Sequence, residues 1–410
     1  MDTIALLDGK RIILGVCGSI ASYKSVDLAS ILTQSGVAVD VIMTEAAQRF
    51  VAALSFQAVS GRPVYTDLWQ SDPDGGLPTH IAHVGLAEDA DLLLIAPATA
   101  NTIAKLAHGL ADDLLTVTAL AAKCPLAIAP AMDGAMYENP ALRANLEVLR
   151  ARDVHLIEPE TGRFASGLSG LGRLPETSTL IGQVRRILGL DGELAGHKLV
   201  VTAGGTREAL DPVRFLSNRS SGKQGYAIAQ AALDAGAEVV LISAAQHLAT
   251  PIGAKLVSVD SAAAMKAAVL ENLVESTALI MAAAVADYKP ADVSQQKIKK
   301  ADDDLTLPLE RTADILMTVK QRRADTGYPM IVVGFAAESE NLVENASDKL
   351  QRKGLDLLIA NDITAEDAGF QVDANRVLVL DMDGGLHKID RRSKADIGAY
   401  IIERIGGLLN

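Results

Sequence analysis

The chain has 410 residues, more than one hydrophobic core normally supports, so two domains are expected. Apolar residues make up 49% of the sequence and aromatic residues only 3%, a composition typical of buried parallel strands covered by Ala- and Leu-rich helices. The formal net charge of −13 argues against a general nucleic-acid-binding protein, although small anionic substrates need only local basic residues.

Apolar runs in the first half predict strands that alternate with helices. Four strands are expected, at Arg11–Cys17, Ala38–Met43, Leu92–Ala96 and Leu126–Ala129. The first leads into a helix over Ala21–Gln34, which Gly36 ends. This alternation predicts a doubly wound parallel sheet, in which ligands bind at the carboxyl ends of the strands.

Small and polar residues follow three of these strands. Gly18-Ser19-Ile20-Ala21 follows the first, PATANT (97–102) the third and PAMDGAM (130–136) the fourth. Such turns can present backbone amides to a phosphate, or they can simply let a helix pack on a strand, and both interpretations stay open here.

Two further features of the first half carry possible chemistry. His83 precedes a glycine and a polar turn, so we expect its side chain to be exposed near the ligand edge, where an imidazole can exchange a proton near neutral pH. The segment 158–175 is rich in Gly and Ser and lacks periodicity. It is either a flexible connector or a functional flap, and its length favours the flap.

The second half repeats the plan after a boundary near residues 190–196. A strand over Lys198–Thr202 is followed by a long polar loop and by a helix over Gly225–Ala235. Further strands are expected at Ala237–Ser243, Leu279–Ala284, Met330–Gly334 and Leu355–Ala360. A closing hairpin is predicted from Arg376–Asp381 and Leu386–Ile389, joined at Gly384-Gly385.

The polar loop TAGGTREALDPVRFLSNRSSGKQG (202–225) is the most informative stretch of the second half. A strand that ends in small residues, followed by two basic glycine-containing clusters and a helix, is typical of a phosphate-binding loop. The cluster KIKK (297–300) and the pair Lys349 and Lys353, spaced as i and i+4 on a helix, could serve an anionic ligand or simply face solvent.

The stretch HVGLAEDADLLLIAPATANTIAKLAHGLADDLL (83–115), together with GSIASYK and PAMDGAM, resembles the homo-oligomeric flavin-containing cysteine decarboxylases. The resemblance spans Arg11 to about Pro175 and implies FMN as cofactor. In that family FMN oxidises a C-terminal cysteine so that carbon dioxide can leave, and the resulting enethiolate is then reduced to the thiol. It implies that His83 is catalytic and that the FMN contacts are Gly18, Ser19, Ile20, Thr44, Thr99 and Asn101.

The chain departs from that family at two positions. The family often has Asn after PAM, an amide that holds the substrate carboxylate, and this chain has Asp133. The flap commonly carries a Cys that protonates the enethiolate, and the aligned residue here is Ser166, a far weaker acid than a thiol. The resemblance therefore implies decarboxylation in which Asp133 and Ser166 occupy catalytic positions and the acid is unassigned.

The polar loop, joined to AAAVADYKP (282–290), KIKK, GFAAE (334–338) and ANDI (360–363), resembles the phosphopantothenate–cysteine ligases over about Gly196 to the C-terminus. The resemblance implies CTP with Mg²⁺ or Mn²⁺, Lys297 as the catalytic lysine and Asn218 acting on the acyl-cytidylate. The metal ligands stay unassigned. The implied CTP contacts, besides Lys297, are Met281, Ala282, Ala283, Asp287, Ala313, Asp314, Ile315, Leu316, Phe335, Lys349 and Lys353. Thr312 and Ala313 stand where the family usually has Asn and Pro.

The whole chain thus resembles the bifunctional coenzyme A biosynthesis proteins. That implies two doubly wound Rossmann-like α/β domains, a flavodoxin-like decarboxylase over 1–190 and a CTP-dependent ligase over 191–410. The substrates would be 4′-phosphopantothenate, L-cysteine and CTP. Decarboxylase trimers and ligase dimers would combine into a homo-oligomer, expected to be a dodecamer.

Two other functions stay open from the sequence. The departures at Asp133 and Ser166 permit a ligase whose flavin domain is only a binding or regulatory module. A nicotinamide oxidoreductase is disfavoured, because neither half has a full GxGxxG motif with an acidic residue about 20 positions later.

Cysteine usage and the N-terminus predict a cytoplasmic protein. Cys17 and Cys124 lie far apart in apolar surroundings, as in a reduced intracellular protein. The start MDTIALLDGK lacks a signal-peptide pattern, and no apolar run reaches the roughly 18 residues of a membrane span. No membrane or nucleic-acid partner is expected.

Overall fold

The computed structural model describes residues 4–69, 82–299, 305–338, 342–362 and 374–409. The chain divides into two compact units, Met1–Leu188 and Gly189–Asn410. Each unit is an α/β domain built around its own sheet.

The N-terminal unit contains eight strands and eight helices among its described residues. The strands are β1 Arg11–Val16, β2 Ala38–Met43, β3 Val64–Tyr65, β4 Leu92–Ala98, β5 Leu126–Pro130, β6 His155–Leu156, β7 Glu160–Arg163 and β8 Ser169–Arg173. The helices are α1 Ser22–Gln34, α2 Ala53–Ser60, α3 Ala82–Ala87, α4 Ala100–His108, α5 Leu114–Ala121, α6 Gly134–Tyr137, α7 Pro140–Arg150 and α8 Thr177–Gly189.

Six of these strands form one parallel sheet in the order β3-β2-β1-β4-β5-β6. This is the Rossmann order, and it differs from the 2-1-3-4-5 order of flavodoxin. The predicted doubly wound fold is confirmed, with Rossmann rather than flavodoxin strand order. The order reverses between β1 and β4, so the crevice for a ligand lies where these two strands end.

Side chains along each buried strand point alternately to the two faces of the sheet, and both faces are covered, which explains the apolar runs in the sequence. In β1, Ile12 and Leu14 face one core and Ile13 faces the other, and all three are fully buried. The sheet is covered on both faces, so neither set of side chains can be polar.

Among its described residues, the C-terminal unit contains the remaining twelve strands and five helices. The strands are β9 Lys198–Ala203, β10 Arg207–Ala209, β11 Phe215–Ser217, β12 Glu238–Ser243, β13 Lys255–Ser258, β14 Ala278–Met281, β15 Tyr288–Pro290, β16 Leu309–Arg311, β17 Ile331–Glu338, β18 Leu357–Asp362, β19 Ala374–Asp381 and β20 Leu386–Ser393. The helices are α9 Lys223–Asp234, α10 Ala262–Asn272, α11 Ile315–Thr326, α12 Leu342–Lys353 and α13 Lys394–Leu409.

Eight of these strands form a second sheet, in the order β13-β12-β9-β14-β17-β18-β19-β20. The first six are parallel, and β19 and β20 are antiparallel, which confirms the predicted closing hairpin. Helices α9 and α13 pack on one face of the sheet, and α10, α11 and α12 pack on the other. Of the helices in the described ranges, none is long and apolar enough to cross a membrane.

Candidate active sites

In the N-terminal unit the loops after β1 and β2 meet at the carboxyl edge of the sheet. A Cβ atom added to Gly18 would lie 2.5 Å from the Cβ of Ala46, so only glycine allows this approach. The backbone N–H of Thr44 donates to the carbonyl of Val16 at 3.0 Å. Gly18 and Thr44 are therefore brought to the same edge, with Ser19 and the exposed Ile20 following Gly18.

The loop after β4 joins this edge through a hydroxyl cluster. Thr99 caps α4 by accepting a hydrogen bond from the N–H of Thr102, and the Cys17 thiol donates to the Thr102 hydroxyl at 3.2 Å. Burial raises the pKa of Cys17, so this thiol is a packing group rather than a nucleophile. Asn101, in the first turn of α4, is exposed.

The prediction that the His83 side chain is exposed is wrong. It is half-buried in α3, because Leu86, one turn further along the helix, is fully buried in the core. Within the described residues its Nδ1 atom is buried without a hydrogen-bond partner. Such an orphan costs about 1–3 kcal/mol unless a ligand or partner group satisfies it. Together with the hydroxyls at the strand ends, this available nitrogen fits a flavin site.

The segment 158–175 forms the antiparallel β7–β8 hairpin, not an unstructured connector. The N–H of Met132, in the loop after β5, donates to the carbonyl of Gly172 at 2.9 Å. At the base of the hairpin, the buried Lys24 of α1 donates to the carbonyl of Leu174 at 3.1 Å and pairs with Glu176 at 3.0 Å. The hairpin is thus attached to the ligand edge of the sheet.

The two departures from the family pattern contact each other. The Ser166 hydroxyl, at the tip of the β7–β8 hairpin, donates to Oδ2 of Asp133 at 2.9 Å. The other oxygen of Asp133 accepts from the N–H of Ala135 at 3.2 Å and caps α6. Asp133 is therefore held by donors on both oxygens and joins the hairpin tip to the loop after β5.

Close approach at Gly172 makes the docked hairpin sensitive to one methyl group. The φ of Gly172 is +148°, and an added Cβ would lie 2.3 Å from the carbonyl oxygen of Met132. We expect Gly172→Ala to weaken docking by about 3 kcal/mol, measured as faster amide exchange at Met132. Gly167→Ala is the control, because Gly167 also has a positive φ (+87°) but open space around it, and should cost about 1 kcal/mol. Equal effects of the two variants would contradict the packing argument.

The C-terminal unit holds a cavity of about 1030 Å³ at the carboxyl edge of its sheet. The cavity-lining residues include Asn218 and the predicted nucleotide positions Met281, Ala282, Ala283, Asp287, Ala313, Asp314, Ile315, Leu316, Phe335, Lys349 and Lys353. Most of them come from the end of β14 and the residues after it, from β17, from the start of α11 and from α12, while Asn218 follows β11 and Asp287 precedes β15. Residues as far apart in the sequence as Asn218 and Lys353 thus converge on one cavity.

Lys349 and Lys353 face this cavity and not bulk solvent. The Lys349 ammonium donates to the carbonyl of Phe335 at 2.9 Å. Lys353, whose side chain is 12% exposed, pairs with Asp314, which also caps α11. Burial lowers the pKa of Lys353, with the charge of Asp287 acting in the opposite direction. The pair places two ammonium groups in the cavity wall, where they could attract an anion.

The N-terminus of α9 forms another wall of the cavity. Gly222 caps this 12-residue helix at φ +79°, and Ser220, Ser221 and Gly225 line the cavity beside it. The helix dipole and the backbone N–H groups at the N-terminus of a helix favour an anion. The Asn218 amide, just before, donates to the carbonyl of Ala284 at 3.1 Å and is thereby held at the end of β14.

Lys297 does not line the cavity. It is exposed in the loop between β15 and β16, a hairpin whose base at Asp287, Tyr288 and Arg311 does line it. Lys300 and Ile363, the last residues of the KIKK and ANDI motifs, lie outside the described residues. Across the described ranges, no three His, Cys, Asp or Glu side chains gather as a metal centre.

The sequence analysis assigned no role to several long polar side chains that line the cavity. They are Arg219, Gln224, Arg311, Asn361, Asn375 and Lys394. Arg219 and Asn361 lie inside motifs that the sequence singled out, so the signal was present. Asn375 and Lys394 reach the cavity only through the β19–β20 hairpin and the start of α13, which no local pattern indicates.

Comparison with known proteins covers both units of the chain. Residues 5–189 match the family model "Flavoprotein", and residues 194–408 match "DNA/pantothenate metabolism flavoprotein C-terminal domain". The coenzyme A biosynthesis bifunctional protein CoaBC of Bacillus subtilis is 44% identical over 406 residues, 98% of each chain. That of Vibrio vulnificus is 41% identical over 411 residues, the full length of both. A crystal structure of the C-terminal domain of such a protein is 36% identical, with a TM-score of 0.45, over 53% of this chain and 98% of its own. The chain therefore belongs to the family of coenzyme A biosynthesis bifunctional proteins.

Proposed function

We propose that this chain catalyses two consecutive steps of coenzyme A biosynthesis: ligation of L-cysteine to 4′-phosphopantothenate with CTP, followed by decarboxylation to 4′-phosphopantetheine with FMN. The observation that carries the proposal is the convergence of the expected nucleotide positions, apart from Lys297, on one cavity beside the α9 N-terminus. Family membership over nearly the whole chain supports the bifunctional enzyme.

In the ligation, an oxygen of the phosphopantothenate carboxylate attacks the α-phosphorus of CTP, and pyrophosphate leaves. The amine of cysteine then attacks the acyl carbon, and CMP leaves. We assign Lys349, Lys353 and the α9 N-terminus to binding anionic groups and Lys297 to stabilising the charge that develops as the cytidylate forms. Asn218 would orient the acyl group. Mg²⁺ or Mn²⁺ would enter with the triphosphate and be held mainly by phosphate oxygens. Asp287 is a carboxylate in the wall of the same cavity.

In the decarboxylation, FMN when bound supplies the two-electron oxidation that lets carbon dioxide leave, and then returns the electrons. Gly18, Ser19, Ile20, Thr44, Thr99 and Asn101 would hold it at the ends of β1, β2 and β4. His83 would exchange the substrate proton, for which its buried Nδ1 is available. Ser166 and Asp133 would close the hairpin over the substrate through their hydrogen bond.

The proposed division of labour places the decarboxylase in residues 1–190 and the ligase in 191–410. Two kinds of self-contact, trimers through the first domain and dimers through the second, would close into a dodecamer. We propose a cytoplasmic enzyme, in keeping with the two unpaired cysteines.

One assay separates this proposal from a flavin domain that only binds or regulates. Phosphopantothenoylcysteine is offered to the FMN-loaded protein, and carbon dioxide is measured in the absence of CTP. Release at a catalytic rate supports the decarboxylase. Full flavin loading without release would favour the regulatory module and leave the ligase assignment intact.

A further inference from the structure

The loop that carries Lys297 is fixed to the rest of the C-terminal unit at the next residue. Both polar groups of the Ile298 backbone are bound. Its N–H donates to Oδ2 of Asp211 at 3.1 Å, and its carbonyl accepts from Nη2 of Arg214 at 2.6 Å. A third contact, from the N–H of Ser294 to the carbonyl of Leu210 at 3.0 Å, attaches the same loop to the same turn.

Asp211 is the centre of this attachment. Its side chain is fully buried, and its oxygens also accept from the N–H groups of Val213 and Arg214, both at 2.8 Å. The Arg214 guanidinium adds two further donors, at 2.9 and 2.6 Å. Burial alone would raise the pKa of Asp211, but the Arg214 side chain and the backbone donors outweigh it and lower the pKa. The carboxylate therefore keeps its charge and its geometry at neutral pH.

The turn that holds Ile298 also leads directly to Asn218. Residues Leu210–Arg214 connect β10 to β11, and β11 ends at Ser217, one residue before Asn218. Asn218 in turn is held against the carbonyl of Ala284, in the cavity wall. Strand β11 thus separates the turn that contains Asp211 and Arg214 from Asn218. The same turn binds Ile298, which is joined to Lys297 by a single peptide bond.

We infer that Asp211, with Arg214, is a positioning residue for the ligation: it sets where Lys297 stands relative to Asn218 by clamping the Ile298 peptide. The inference rests on the proposed role of Lys297. Without the clamp, the loop would sample many positions, and Lys297 would reach the developing charge only part of the time. A misplacement of about 1 Å at a reacting centre can cost about 100-fold in rate.

The test is a double-mutant cycle on pyrophosphate release from CTP and phosphopantothenate, with Asp211→Asn, Lys297→Gln and the double variant. Asparagine presents an N–H₂ group to a site full of donors, so it breaks the clamp. We expect kcat to fall about 100-fold in Asp211→Asn with less than about a threefold change in KM for CTP. In the double variant we expect no further loss beyond Lys297→Gln, because the clamp acts only through that lysine.

Two more variants keep the test decisive. Arg214→Lys retains a cation but loses the guanidinium geometry that reaches the Ile298 carbonyl, and Arg214 is 45% exposed, so folding should survive if Asp211→Asn does not fold. Asp356→Asn is the matched control: Asp356 also accepts both arms of an arginine, Arg323, together with the N–H of Val332, away from the lysine loop. It should lower thermal stability and leave kcat unchanged.

The possible outcomes are distinct. The positioning role would be overturned if the loss of kcat in Asp211→Asn, or in Arg214→Lys, multiplied with the loss in Lys297→Gln when the two substitutions are combined. It would also be overturned by a rise in KM for CTP with kcat unchanged. If Lys297→Gln itself released pyrophosphate at the wild-type rate, the proposed catalytic role of Lys297 would fail instead.

Discussion

Lys297→Gln is expected to lower the rate of CTP-dependent pyrophosphate release by about 10²–10³-fold and to leave decarboxylation of phosphopantothenoylcysteine unchanged. Glutamine is of similar length but carries no charge, so the charge that develops as the cytidylate forms loses its cation. The measurement is pyrophosphate release with saturating CTP and phosphopantothenate, alongside carbon dioxide release from phosphopantothenoylcysteine.

The same loop offers a matched control for this substitution. Lys299 is exposed like Lys297 and lies on the other side of the clamped Ile298. Lys299→Gln removes the same charge from the loop as a whole, so it reports any general electrostatic attraction of CTP. Equal losses in the two variants would show that the loop acts by bulk charge, and Lys297 would have no individual role.

His83→Asn is expected to lower carbon dioxide release by about 10²–10⁴-fold while leaving pyrophosphate release intact. Asparagine keeps a polar side chain of similar size but cannot exchange a proton near neutral pH. Because Nδ1 of His83 is buried and lacks a partner within the described residues, its replacement breaks no hydrogen bond at that atom. FMN content, read from the flavin absorbance, should therefore stay close to that of the wild type.

His108→Asn is the control for this variant. His108 lies at the end of α4 in the same domain and is exposed, so it should be replaceable without effect. An FMN-loaded His83→Asn protein that released carbon dioxide at the wild-type rate would remove His83 from the mechanism and strengthen a purely regulatory reading of the domain.

The central strands were predictable because burial on both faces leaves a simple signature. The run Leu92–Ala98 is fully buried, so alternation with polar residues is absent and a continuous apolar segment indicates the strand. Helix ends followed from backbone geometry: Gly36, at φ +89°, follows the last residues of α1 as expected.

Short elements were not predicted, because their stability comes from contacts with residues distant in the sequence. Strands β3 and β6 have two residues each and exist only as additions to a sheet already formed. The β10–β11 and β15–β16 hairpins are mixed polar segments that touch each other, and neither has a periodic pattern. His83 was misplaced for a related reason, because its single turn of helix is fixed by Leu86 in the core.

The residues of the candidate sites also differ in whether the local sequence could predict them. The position of strand-end motifs such as Met281–Ala283 at the cavity was predictable, because the carboxyl ends of parallel strands share one edge of the sheet. The role inferred for Asp211 could not be read from its sequence, LDPVR, in which an Asp before Pro indicates only a turn. Its contact with Ile298 spans 87 positions, and only the folded chain brings the two together.

The claim that one chain performs both steps is tested most directly by measuring whether decarboxylation depends on ligation. The FMN-loaded wild-type protein is incubated with 4′-phosphopantothenate, CTP and L-cysteine labelled at its carboxyl carbon, and labelled carbon dioxide and pyrophosphate are counted together. We predict one carbon dioxide for each pyrophosphate, and neither product when CTP is left out. Pyrophosphate without labelled carbon dioxide, or carbon dioxide from cysteine without CTP, would contradict the account.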